Sequence, residues 1–142
     1  MTKRLLFILA LGVFFACKKD LYESSPKLKL KNVSSTVVPR DGDLQITLRL
    51  TDKEGDFNDT IWVKKTTTRC VASNFYDSLS YSIPQETPRS KNFDGDVVIS
   101  FPYSKMSPRC AFNDTVTMKI WMWDKKGNQS DTVTTPVIII NK

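Results

Sequence analysis

The sequence predicts an all-β fold, an antiparallel β-sandwich of about seven strands that is preceded by a cleaved signal helix. Three observations support this prediction. Apolar residues recur with period two, turn-forming residues separate the alternating segments, and no helical period is sustained beyond the N-terminus. The 142 residues, of which 40% are hydrophobic and 11% aromatic, suffice for one domain with a packed core.

The N-terminus has the pattern of a signal peptide. Two basic residues precede twelve uncharged, almost wholly apolar residues, 5–16, which end at Cys17. A helix of that length reaches about 18 Å, short of the roughly 30 Å hydrocarbon core of a bilayer. A signal segment is therefore favoured over a spanning anchor, and a buried N-terminal helix is the alternative. A cysteine directly after the small residue Ala16 resembles a bacterial lipobox. This resemblance implies that residues 1–16 are a lipoprotein signal peptide and that Cys17 is lipidated.

The residues after Cys17 indicate where such a protein would be located. The run Cys17-Lys18-Lys19-Asp20 resembles the lysine-plus-acid signal that directs Bacteroidetes lipoproteins to the cell exterior. We therefore expect a lipid-anchored protein of the outer membrane of a Gram-negative bacterium, periplasmic or surface-exposed. Residues 17–27 would be the lipidated N-terminus and tether, and residues 28–142 the folded domain. Removal of residues 1–16 takes away two of the 21 basic residues and leaves 19 against 15 acidic ones, and this net charge of +4 is too modest to indicate a nucleic-acid partner.

The cysteine count predicts one disulfide. Lipidation uses Cys17, and export leaves Cys70 and Cys110 in an oxidising compartment, where an even pair is expected to join. Two free buried thiols are the alternative. A redox role is not expected, because neither cysteine has a histidine or a CxxC partner.

The strands follow from alternation and from the turns between them. The predicted strands are Leu28–Leu30, Leu44–Leu50, Thr60–Thr67, Val97–Phe101, Thr115–Trp123 and Thr132–Ile140. Turn-forming residues lie at 39–43, 94–96 and 125–128, and Pro136 suggests a sheet edge or a bulge in the last strand. About seven strands over roughly 115 residues indicate a sandwich of immunoglobulin-like type.

Three motifs resemble those of small Bacteroidetes lipoproteins with an Ig-like domain. They are the turn in residues 50–57 (LTDKEGDF), the segment 80–84 (SYSIP) with its return at 95–97 (GDV), and the hairpin 123–130 (WDKKGNQS) leading into 134–136 (TTP). The resemblance covers most of residues 28–142. It implies an exported Ig-like domain, and that family has no established activity.

The first of these motifs contains a candidate metal site. Five oxygen-bearing side chains lie within eight residues, and hard Ca²⁺ prefers six to eight oxygen ligands. The predicted ligands are Asp52, Glu54, Asp56, Asn58 and Asp59. The position of Gly55 rules out an EF-hand loop. The alternative is a turn in which these side chains cap their own backbone and Gly55 adopts positive φ.

The tryptophans form a second candidate site. Alternation places Trp121 and Trp123 opposite the apolar residues of their strand, so both indoles would face outward beside Lys119. Trp62 and Lys64 would join them if their strand buries its other face, and the five residues would form a platform for sugar rings or a partner protein. The alternative is that Trp62 is the core tryptophan of an Ig-like third strand and that a loop covers Trp121.

The composition limits the function classes. The chain has no histidine and three cysteines, which excludes Ser-His-Asp and Cys-His triads, imidazole acid–base catalysis and a Cys₄ metal site. We therefore expect a non-enzymatic binding or interaction module for a glycan or an envelope protein, without a cofactor other than Ca²⁺. A purely structural envelope lipoprotein is one alternative, and a glycan-directed hydrolase that uses turn carboxylates is the other.

Overall fold

The computed structural model describes residues 24–67, 69–70 and 79–142. The predicted signal peptide and Cys17 lie outside the described residues. The described part of the chain forms nine strands and one short helix. They are β1 (Lys27–Val33), β2 (Val37–Val38), β3 (Asp43–Asp52), β4 (Phe57–Thr67), β5 (Leu79–Ser82), β6 (Phe93–Pro102), α1 (Tyr103–Met106), β7 (Asp114–Asp124), β8 (Val133–Thr134) and β9 (Ile138–Ile140).

The strands form two sheets. The first has the order β1-β3-β6, and the second has the order β2-β9-β7-β4-β5 with β8 also paired to β7. All pairs are antiparallel except β2 with β9, which are parallel. Consecutive strands β1 and β2 therefore lie in different sheets. The predicted all-β, immunoglobulin-like sandwich is confirmed.

The core lies between the two sheets, as the alternation predicts. Every second side chain of β3 and β7 is fully or almost fully buried: Leu44, Ile46, Leu48, Leu50, Val116, Met118, Ile120 and Met122. Phe57 and Phe101 complete the same cluster. These aliphatic, methionine and phenylalanine side chains carry no charged group and no strong hydrogen-bonding group. Burial of their apolar surface is therefore the principal contribution to the stability of the fold.

The last predicted strand is divided in two. Pro136 lies between β8 and β9, because proline has no N–H to donate to a ladder. Thr135 still attaches the chain to β7: its N–H donates to the carbonyl of Met118 (2.9 Å), and its hydroxyl accepts from the Met118 N–H (3.0 Å). The sequence suggested a sheet edge or a bulge at Pro136, and the structure shows an interruption of the predicted strand there.

A disulfide and a buried ion pair lie at one end of the second sheet. Cys70 and Cys110 are bonded, with Cα atoms 5.9 Å apart, and join the chain after β4 to the chain before β7. Lys65 Nζ lies 3.5 Å from Asp114 Oδ2, and both side chains are buried. Burial lowers the pKa of Lys65, and the charge of Asp114 opposes this shift. The predicted disulfide is present, whereas the ion pair was not predicted from the sequence.

No helix within the described ranges is long and apolar enough to cross a membrane.

Candidate functional site

Three tryptophans cluster on the outer face of the second sheet. Trp62 on β4 and Trp121 on β7 are paired in register, and Trp123 follows two residues later on the same face. The ring of Trp123 meets the rings of Trp62 and Trp121 edge-on, with centroids 6.0 and 6.1 Å away. All three side chains are half-buried. Trp62 is therefore not a core residue, because Ile61 and Val63 occupy the inner face of β4.

An open groove of about 520 Å³ lies beside this cluster. Two of the indoles line it together with polar residues. The lining residues are Asn58, Asp59, Thr60, Trp62, Trp123, Asp124, Lys125 and Gly127. A groove that combines indoles with several polar atoms can hold a ligand that has an apolar face and a hydrogen-bonding edge.

Polar side chains continue the outer face beyond the indoles. Lys64 and Lys119, the other two predicted platform residues, are directly paired in the register and are both exposed. On the other side of β4, Ser80 pairs with Trp62 and Ser82 pairs with Thr60, and both serines are exposed. Directly paired residues share a face, so the indoles adjoin the lysine pair along their own strands and the serine hydroxyl groups on β5.

Both groove carboxylates already have protein partners. Asp59 forms an ion pair with Arg89. Asp124 Oδ1 accepts from the N–H groups of Lys126 (2.9 Å) and Asn128 (2.7 Å), and Oδ2 accepts from the Asn128 side chain (2.7 Å). Burial raises the pKa of the Asp124 carboxyl, but these hydrogen bonds outweigh it and hold the pKa below its ordinary value. Neither group is an unpaired acid or base.

The predicted acidic turn lies between β3 and β4. Asp52, Glu54 and Asp56 each place a carboxylate oxygen within 4.8 Å of the other two. Asp52 is fully buried, and its Oδ1 accepts from the N–H groups of Glu54 and Gly55, both at 2.9 Å. Burial raises the pKa of Asp52, these two hydrogen bonds oppose the shift, and the charges of Asp56 and Glu54 add to it. Gly55 has φ +69°, as the turn alternative expects.

The five predicted Ca²⁺ ligands fall into two groups. Asp52, Glu54 and Asp56 form the cluster described above, whereas Asn58 and Asp59 line the groove. The Asn58 side-chain amide donates to the Asp124 carbonyl (2.9 Å), which connects β4 to the last hairpin. That hairpin also approaches the acidic turn, because the Lys125 N–H donates to the Asp56 carbonyl (2.9 Å).

Arg89 is a site residue that the sequence analysis missed. Its guanidinium lies 4.5 Å from the centroid of the Phe57 ring, donates to the Phe57 carbonyl and pairs with Asp59. Arg89 lies in the chain between β5 and β6, and through Asp59 it connects that chain to the lining of the groove. That stretch has no periodic pattern, so nothing in the sequence indicated its position.

Comparison with known proteins gives little further information. No protein-family model matches the chain, and no curated protein matches it. Among solved structures, it is similar to the CARDB domain of the PF1109 protein from Pyrococcus furiosus, which was crystallised in complex with di-metal ions. The identity is 10%, the match covers 83% of this chain and 96% of that one, and the TM-score is 0.33. A TM-score of this size does not show that the two chains share a fold.

Proposed function

We propose that this protein is a lipid-anchored binding module of the bacterial cell envelope and that its groove binds a saccharide. The observation that carries the proposal is the groove itself, in which Trp62 and Trp123 face outward beside polar side chains. Aromatic side chains are common anchors of binding sites, because an indole offers a large apolar face together with an N–H donor.

A saccharide suits a lining that combines indoles with polar side chains. The C–H face of a sugar ring would stack on the indoles, and its hydroxyl groups would bond to Asn58, Thr60 and the carbonyl or carboxylate oxygens nearby. The exposed Ser80 and Ser82, on the same face, would extend the contact to a second sugar unit. The exposed Lys64 and Lys119 would favour a chain that carries acidic groups, because two directly opposed cations repel each other without an anion.

Binding is supported more strongly than hydrolysis. A glycosidase needs one carboxyl group that can release a proton and a second that can act as nucleophile or base. In the groove, Asp59 is engaged in an ion pair with Arg89, and the hydrogen bonds to Asp124 hold the pKa of that carboxyl below its ordinary value. Neither residue is suited to act as the general acid, so we propose a module without enzymatic activity.

The envelope location rests on the sequence pattern at Cys17 and on the disulfide. A Cys70–Cys110 bridge is typical of an oxidising compartment, which supports export of the domain. The lipid on Cys17 would attach the module to the outer membrane.

The groove variant Trp123→Ala is expected to weaken saccharide binding at least about thirtyfold, because a central aromatic anchor commonly contributes about 2 kcal/mol or more. A glycan array with the purified protein identifies the ligand, and titration of tryptophan fluorescence then measures the affinity. Phe112→Ala is the matched control, since Phe112 is an exposed aromatic that does not line the groove. Equal affinities for wild type and Trp123→Ala, or no glycan bound by the folded wild type, would refute the saccharide proposal.

Cys17→Ser is expected to abolish lipid attachment and to release the protein from the membrane fraction. The reason is that only a thiol at this position can be acylated in the proposed lipobox. Mass spectrometry of the wild-type protein should find a lipidated Cys17 as its first residue. An intact Met1 with an unmodified Cys17 thiol would contradict the proposed processing and the envelope location together.

A further inference from the structure

We propose that the turn between β3 and β4 is a Ca²⁺-binding site, formed by the carboxylates of Asp52, Glu54 and Asp56. The site is independent of the saccharide proposal, because none of these three residues lines the groove.

The spacing of the carboxylates fits one Ca²⁺ ion. One oxygen from each residue lies within 4.8 Å of the other two. Calcium–oxygen distances are about 2.3–2.6 Å, so two oxygens bound to the same ion lie at most about 4.6–5.2 Å apart. The three oxygens therefore fit within one coordination sphere without movement of the backbone.

A second observation is that each carboxylate has a buried oxygen without a partner. Within the described part of the chain, the buried side-chain atoms that lack a hydrogen bond are Asp52 Oδ2, Glu54 Oε2 and Asp56 Oδ1. Asp52 carries the most weight, because the residue is 0% exposed and its two backbone donors both bond to Oδ1. Buried carboxylate oxygens normally pair with a donor or coordinate a metal.

Lys126 does not account for these oxygens. Its Nζ lies 3.3 Å from Asp56 Oδ2, which is the other oxygen of that carboxylate. The Lys126 side chain is 59% exposed and approaches the cluster from the solvent side. One exposed lysine balances one of three negative charges, and the buried oxygens of all three residues remain without a hydrogen bond. A small cation held among the three residues can contact a carboxylate oxygen of each at once.

The surrounding backbone holds the turn in place. The Asn92 N–H donates to the Lys53 carbonyl (2.8 Å), and the Lys125 N–H donates to the Asp56 carbonyl (2.9 Å). Gly55 packs so closely that a Cβ atom at this position would lie 2.3 Å from the Ser90 carbonyl oxygen. Contacts from the chain before β6 and from the last hairpin thus fix the ligand positions in advance, which lowers the ordering cost of binding.

The ligand chemistry favours Ca²⁺ over other ions. The cluster offers only carboxylate oxygens, which suit hard cations and not the softer metals that prefer histidine or cysteine. Mg²⁺ requires near-ideal octahedral geometry at about 2.0–2.1 Å, whereas Ca²⁺ accepts irregular sets of six to eight oxygens. Glu54 and Asp56 are only half-buried, so water can supply the remaining ligands.

Calorimetric titration of the EDTA-treated protein with CaCl₂ tests the site, with MgCl₂ as the comparison ion. We expect Ca²⁺ to bind with a Kd of about 0.1–1 mM, as in extracellular modules, to bind more tightly than Mg²⁺, and to raise the melting temperature. A folded wild type that shows neither heat nor a shift in melting temperature up to about 10 mM CaCl₂ overturns the proposal.

Three variants distinguish a cation site from an ordinary polar turn. Glu54→Gln is expected to weaken Ca²⁺ binding roughly tenfold or more, because it removes a ligand charge and no described side-chain hydrogen bond. Lys126→Met is expected to tighten binding, because it removes the competing cation. Glu86→Gln is the control, since Glu86 is exposed and outside the cluster, and its Kd should equal that of wild type. If Glu54→Gln and Glu86→Gln bind Ca²⁺ equally, or if Lys126→Met weakens binding, the assignment of the ligands is wrong.

Discussion

Replacing both Cys70 and Cys110 with alanine is expected to lower the free energy of unfolding by about 4 kcal/mol. The bridge closes a loop with a sequence separation of 40 residues, which includes β5, β6 and α1. Without the bridge, the unfolded chain regains the conformational freedom that loop closure removes. Urea denaturation of wild type and of the double variant, both under oxidising conditions, measures the difference.

The disulfide prediction has an internal control. Reduction of the wild type with dithiothreitol should reproduce the loss of stability, and the same reductant should leave the double variant unchanged. If the double variant is as stable as the oxidised wild type, the bridge does not constrain the unfolded chain, and the loop-closure explanation is wrong.

Lys65→Met is expected to lower the free energy of unfolding by about 3–5 kcal/mol, because it leaves the Asp114 carboxylate buried without its cation. Asp114 is 0% exposed and lies 3.5 Å from Lys65 Nζ, which also donates to the Met106 carbonyl (3.3 Å). The hydroxyl of Thr67 donates to the other Asp114 oxygen, and a neutral donor alone does not offset a buried charge. Chemical denaturation of the single variant measures this cost.

The double variant Lys65→Met with Asp114→Asn distinguishes the loss of the ion pair from the cost of leaving one buried charge unpaired. It should recover most of the lost stability, because no ionised group then remains buried at this position. Lys64→Met, on the exposed face one residue earlier, is the matched control and should change stability by less than about 0.5 kcal/mol. A single Lys65→Met variant as stable as this control would show that Asp114 does not depend on the lysine.

The sequence predicted much of the fold because alternation is a local property. The inner and outer faces of β3, β4 and β7 follow from period two, and the outward placement of Trp121 and Trp123 follows from the apolar residues between them. The same alternation also applies to the burial of Lys65, because this residue continues the inner face set by Ile61 and Val63. A charged residue at a buried position needs a partner, and the partner of Lys65, Asp114, lies 49 residues away in the sequence.

The candidate sites were less predictable because they depend on contacts between distant segments. The five acidic-turn residues are close in sequence, yet Asp59 turns toward Arg89, 30 residues away, and leaves the cluster. The groove itself needs the hairpin after β7 beside the start of β4, which the hydrogen bond from Asn58 to Asp124 holds together across 66 residues. Such pairings have no periodic signal in the sequence.

Composition and alternation by themselves determined that this chain is an all-β sandwich and which faces of its strands are buried. These properties depend on the composition and on the sequence of side chains within each strand. Burial of apolar area therefore favours them in any arrangement of the strands. Only the tertiary structure decided that β2 pairs with β9, that two indoles border a groove, and that one buried oxygen of each turn carboxylate has no hydrogen bond. Those arrangements depend on which distant backbone segments pack together, and many pairings satisfy the same alternation.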